Sequence, residues 1–382
     1  MIDKEYSFDE FDSVSFSQWK ERISHDQKGV SIDSLEWKVN SEIELSPFHH
    51  KDSVSDFTRH NSKFFSSYGP CLNLSLCSSE NEEILEALTN GADGVIVKVS
   101  NGLSFDDSLR GVMPNICNLS FESVNPQKTY KDYLKWLVHH SFDISSVKGY
   151  LFDSNLAGKI KDLSESRYIH DLLNSKDILP GIRFIKLTGN VDGEHSYLDQ
   201  LANICVELVY YLEKFSGKGT ETERIINSLF FQVDSGDNFF LEIAKIRSLN
   251  FLSSIILKEY GLVRGTSIPI HVATRPKVDM EQISDCTQTM SALLGGAYSV
   301  CTNVDPKEKM KKRISLNVLN ILKEESYFDK TINPIEGSYF IESLTGKMIR
   351  SAWSLFLEKQ KTDWFSSVAL SADNAITSKS DK

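Results

Sequence analysis

The sequence predicts an α/β protein whose body is a (β/α)8 TIM barrel, carried behind an N-terminal helical and extended arm. Three observations lead there. Eight short β-rich apolar runs lie between residues 71 and 302, helical stretches separate most of them, and the span approaches the ~250 residues of a closed eight-fold barrel. An open doubly wound sheet is the alternative, but no G-x-G-x-x-G follows an early strand.

In chain order, residues 1–15 are acidic and serine-rich, and Phe16 to Gly29 forms a short amphipathic helix closed by its glycine. The stretch SLEWKVNSEIELSPFHH does not alternate well enough to found a domain, so Trp37 and Phe48 are expected to dock on a larger body. Residues 1–68 are accordingly an arm, 69–360 the barrel and 361–382 a polar tail. The expected strands are 71–76, 94–99, 116–121, 147–152, 182–187, 228–233, 268–273 and 297–302. Helices are expected at 80–90, 129–140, 197–215, 238–260, 280–294 and 307–326, and another follows in 331–360.

The 382 residues carry 42 Lys and Arg against 53 Asp and Glu, a net charge of −11, and no segment concentrates the basic residues. A nucleic-acid binder needs a basic face, so that class is set aside. No run approaches the ~20 apolar residues of a membrane span, and Met1–Glu10 lacks the pattern of a signal peptide, so no membrane role and a cytoplasmic location are expected. The six cysteines form no C-x-x-C pair and have no histidine at ligand spacing, which predicts reduced thiols and no metal.

Barrel function sits after the C-terminal ends of the strands. The residues there, such as Ser100, Glu122, Asp153, Thr188-Gly189-Asn190, Asp234 to Asp237 and Thr274-Arg275, are polar but include no histidine, and turns and helix N-caps account for them. Asp234 and Asp237 could pair for acid–base chemistry, but N-capping of the next helix is the simpler expectation. His271, inside a strand, is expected to be a hydrogen-bonded core histidine, although spacing leaves open which face it takes. His49-His50 and His139-His140 are expected at the surface, and Gly295-Gly296 at a helix C-cap.

Three stretches resemble the methylmalonyl-CoA mutase family. DNFFLEIAKIR resembles its N-D-F-F-E-E-I-A-K-x-R helix, QTMSALLGGAYSVCTN its Q-x-L-x-x-x-L-G-G-x-x-S-x-x-T-N segment, and NPIEGSYFIESLT its D-P-x-G-G-S-Y-Y-V-E-x-L-T. The region Trp19 to Phe48 is similar to the arm of the family's small subunits, with W-x-x-x-I-x-x-D-x-x-G, then L-x-W, then P-F. The departures are specific. Where catalytic members carry the histidine of S-G-Y-H, this chain has Val191; Ser228 replaces an arginine; and the loop after His271 is shortened. The D-x-H-x-x-G cobalt-ligand motif of the family's cobalamin domain is absent.

The resemblance therefore implies a non-catalytic small subunit, with no catalytic residue of its own, paired with a large catalytic subunit. The heterodimer would convert methylmalonyl-CoA to succinyl-CoA, with adenosylcobalamin bound mainly by the partner and none by this chain alone. Trp19, Trp37 and Phe48 would contact that partner, while Gln288, Gly295 and Gly296 match family positions near the cofactor. Two rivals stay open: the barrel half of a split mutase, in which those three residues would touch cobalamin, and an orphan barrel that binds acyl-CoA.

Overall fold

The computed structural model describes residues 14–28, 30–39, 43–50, 73–78, 80–100, 102–153, 169, 171–174, 178–189, 196–215, 220–261, 267–275, 281–302, 308–328, 330 and 333–362. The chain folds as a parallel α/β protein. A two-stranded antiparallel ribbon, β1 (Trp37–Lys38) and β2 (Glu44–Leu45), precedes the main sheet. That sheet comprises β3 (Asn73–Ser78), β4 (Gly94–Val99), β5 (Asn118–Ser123), β6 (Gly149–Asp153), β7 (Ile182–Arg183), β8 (Ile185–Leu187), β9 (Leu229–Ser235), β10 (Ile270–Thr274) and β11 (Ser299–Cys301). All its pairings are parallel, in the order β7-β6-β5-β4-β3-β11-β10-β9-β8.

Two features of this order matter. The first strand pairs with the last, and the two end strands are halves of one run separated only by Phe184. Ser228 accepts the amides of both Phe184 and Ile185 at 2.9 Å, tying that break to the start of β9. Tyr150 on β6 and Phe230 on β9 stand six places apart in the sheet, which would separate them by about 29 Å if it were flat. Their ring centroids are 4.6 Å apart, so the sheet is strongly curled.

Alternation along the strands fills both faces. Val95, Val97, Leu119, Phe121, Leu151, Phe231, Val233, Val272 and Val300 belong to the large core against the helices. The intervening Ile96, Tyr150, Phe152, Phe230 and Cys301 form a separate cluster on the inner face. Burial on both faces explains why these strands read as nearly continuous apolar runs.

The helices are α1 (Phe16–Asp26), α2 (Asn81–Thr89), α3 (Phe105–Ser108), α4 (Pro126–His139), α5 (Tyr197–Phe215), α6 (Thr220–Ile226), α7 (Phe239–Glu259), α8 (Glu281–Gly295), α9 (Lys309–Glu324) and α10 (Tyr339–Lys361). Helix α10 packs against α5 and α7, and a buried ion pair, Arg247 Nη2 to Glu342 at 2.7 Å, crosses the α7–α10 contact. Asn238, not Asp234 or Asp237, caps α7, accepting the Leu241 amide at 3.2 Å. The N-cap expectation for the two aspartates is thereby corrected, because Asn238 occupies the cap position immediately before the helix. Among the described residues no helix is long and apolar enough to cross a membrane.

The arm divides into two parts. The β1–β2 ribbon is anchored, with Ile43 and Leu45 at 1% and 0% exposure. Trp37 stacks on Phe340 at 6.2 Å, His49 meets the same ring edge-on at 5.5 Å, and Lys347 donates to the Glu44 carbonyl. His49 is thus half-buried rather than at the surface, whereas His139 and His140 are exposed. Helix α1 has no buried residue; Trp19 stacks on Phe48 at 4.2 Å, and Phe16 lies 6.1 Å from Phe48.

Candidate functional site

The inner face of the curled sheet is the first place to seek a site, and rings fill it. Phe230 contacts Tyr150 at 4.6 Å and Phe152 at 6.0 Å, and the Tyr150 ring lies 5.6 Å from the His271 imidazole. His271 is 2% exposed and its Nδ1 is 2.7 Å from Ser299 Oγ, so it is the hydrogen-bonded core histidine expected, and it takes the inner face. Burial, aided by the positive charge of Lys186, pushes its pKa down to about 4, leaving the imidazole neutral at physiological pH. Lys186 Nζ lies 5.4 Å above the Phe152 ring.

At the C-terminal ends of the strands, side chains engage one another. Arg275 Nε pairs with Asp234 at 2.7 Å, and the buried Lys245 donates to the Asp234 carbonyl at 2.6 Å while pairing with Glu242 at 2.6 Å. Gln288 is 2% exposed, and its amide is fully engaged. Its Oε1 accepts the Arg275 amide at 2.6 Å, and its Nε2 donates to the Arg275 carbonyl, Ser284 Oγ and Asp237 at 3.0, 3.1 and 3.3 Å. Thr274 donates to Asp285 at 2.6 Å beneath this cluster.

The turn after β8 has its own anchor. Glu207, buried on α5, accepts the Thr188 and Gly189 amides at 3.0 and 3.1 Å, and Asn203 donates to the Gly189 carbonyl at 3.0 Å. Burial pushes the Glu207 carboxyl up to about 7, against the stabilising Gly189 and Thr188 amides and the Lys186 charge. Gly189 has φ +63°, and a Cβ there would lie 2.3 Å from the Gln200 carbonyl.

A cavity of about 260 Å³ opens at the other end, among the N-terminal ends of the strands. Ser120, Tyr150, Tyr298 and Ser299 line it, with Arg183 and Lys148 the cations among its described lining residues.

Of the residues singled out from sequence, Val191 lies outside the described residues. Gln288 is bonded within its own chain, to Arg275, Ser284 and Asp237. A Cβ on Gly295 would lie 2.9 Å from Ile246 Cβ, so that glycine serves the close contact of α8 with α7. Gly296, at φ +92°, ends α8 as the C-cap reading expected. Trp19 and Phe48 stay together on the arm, while Trp37 packs on the body. Sequence reasoning did not single out Tyr150, Arg183 or Glu207. A glutamate in the apolar run of α5 is the kind of signal that exposes a buried carboxylate.

The family model for methylmalonyl-CoA mutase matches residues 186–362. The chain is 24% identical, over 97% of its length, to the methylmalonyl-CoA mutase small subunit of Porphyromonas gingivalis, covering 66% of that protein. It is 30% identical over 41% of its length to the methylmalonyl-CoA mutase of Cereibacter sphaeroides, and 27% identical over 42% to the P. gingivalis large subunit, covering 25% and 24% of them. The chain thus spans less than two thirds of the length of each of these relatives. Among solved structures, dihydropteroate synthase of Thermus thermophilus matches at TM-score 0.38 and 11% identity, covering 67% of this chain and 94% of that one, a likeness too slight to carry an argument. Similarity along almost the whole chain, with the family match across residues 186–362, makes the chain similar to the methylmalonyl-CoA mutase family.

Proposed function

We propose that this chain is the small, non-catalytic subunit of an adenosylcobalamin-dependent methylmalonyl-CoA mutase, paired with a large subunit that carries cobalamin and isomerises methylmalonyl-CoA to succinyl-CoA. The observation that carries the reading is the aromatic filling of the inner face by Tyr150, Phe152 and Phe230 around a neutral His271. Radical isomerisation needs a dry space for acyl group and cofactor and a polar group to hold the thioester carbonyl. Here rings occupy the interior, the buried histidine is spent on Ser299, and the family's catalytic histidine position holds Val191.

In this reading residues 69–360 form a (β/α)8 barrel in which β7 and β8 act as one strand bridging β6 and β9. Pairing of β3 with β11 and the Tyr150–Phe230 contact support it. The arm, residues 1–68, reaches the partner through Trp19 and Phe48, whose stack has no core of its own to join, and Trp37 steadies its base against Phe340. Residues 361–382 form a tail.

Removing residues 1–31 tests this, since the cut spares the buried Ile43 and Leu45. The shortened chain is expected to fold and to lose its large subunit on co-purification. A shortened chain that still recovers that subunit in equal amount contradicts the role given to the arm.

A further inference from the structure

The cavity at the N-terminal ends of the strands has a chemistry that neither the fold nor the proposed pairing uses. It is walled by the starts of β5, β6, β7 and β11, and among the described residues that line it Arg183 and Lys148 are cations and none carries a carboxylate. That is unusual in a chain with net charge −11.

Arg183 is fixed in place. Its Nη1 donates to the carbonyls of Ile226 and Leu229 at 3.0 and 2.8 Å, which orients the guanidinium and leaves its other nitrogens with no bond among the described residues. Burial draws its pKa down, opposed by Tyr150 and Tyr298, so the site bears the cost of a desolvated cation with no carboxylate paired to it among the described residues. Ser120 Oγ accepts the Tyr150 amide at 3.0 Å, so its own hydroxyl hydrogen is available to donate. Its volume of about 260 Å³ suits a small molecule.

We infer that this cavity binds a small oxyanion, a carboxylate or phosphate group held by Arg183 with Lys148 at the rim and Ser120 beneath. The planar guanidinium suits a forked contact to two oxygens, and the exposed Lys148 adds charge at the entrance.

Isothermal titration of the full chain at constant ionic strength tests it, with inorganic phosphate in one arm and propionate in the other. Saturable binding of either supports the site and identifies the source of the oxyanion. Arg183→Gln is expected to weaken that binding by about tenfold or more. Because Arg183 also bonds two carbonyls, Lys148→Glu on the exposed rim serves as the second variant, with a loss of about threefold or more expected from the reversed charge. No saturable heat with either anion overturns the proposal, and so does equal affinity in wild type and Lys148→Glu.

Discussion

Tyr150 and Phe230 come within 4.6 Å although six strand positions separate them in the sheet. The contact joins distant parts of the curled sheet across its inner face. Phe230 is 0% exposed, so Phe230→Ala is expected to cost about 3–5 kcal/mol. Urea unfolding followed by circular dichroism measures it; a loss below about 1 kcal/mol would show that the inner cluster does not hold the sheet together.

Glu207 gives the fold a pH dependence. Its folded pKa of about 7 lies above that of an unfolded glutamate, so the native state binds the extra proton. Below about pH 4.5 both states are protonated and the contribution is fully present. As pH rises to about 7 the unfolded chain ionises first and stability falls, by up to about 3 kcal/mol. Glu207→Gln, measured by denaturation across that window, is expected to flatten this slope. An unchanged slope would assign it to other groups.

The two parts of the arm should separate in a stability measurement. Leu45, fully buried, is expected to cost about 2–5 kcal/mol on replacement by alanine. Trp19→Ala removes a stacking partner from a helix with no buried residue and is expected to leave the main transition within about 0.5 kcal/mol. Equal losses from the two would mean that α1 belongs to the core.

Arg247 and Glu342 are expected to act as a unit. Arg247→Met strands a buried carboxylate and should cost about 3–5 kcal/mol, whereas the double variant Arg247→Met/Glu342→Leu should recover much of that loss. Additive losses in the denaturation midpoints would show that the pair is not coupled.

Each of the eight strand runs read from the sequence contains strand in the structure, within about two residues at most ends, because strands buried on both faces announce themselves as apolar runs. The break at Phe184 was not legible, since IRFIKL is continuous as a pattern and only the differing neighbours of its halves divide it. The ribbon at Trp37 and Glu44 has two residues per strand, too few for any period, and α3, with four residues, is equally silent. Asp234 and Asp237 read as caps in the sequence because their partners in the structure, Arg275 and Gln288, are distant along the chain. Arg183 was legible only as a member of a strand. Its place in a cavity depends on curvature, which a single sequence does not print.

The measurement that bears most directly on the central claim is the native mass of the complex recovered with a tagged copy of the full chain from its own cells. The account predicts a one-to-one complex with a large mutase chain that carries the cobalamin. A monomer or homodimer free of that chain would contradict it.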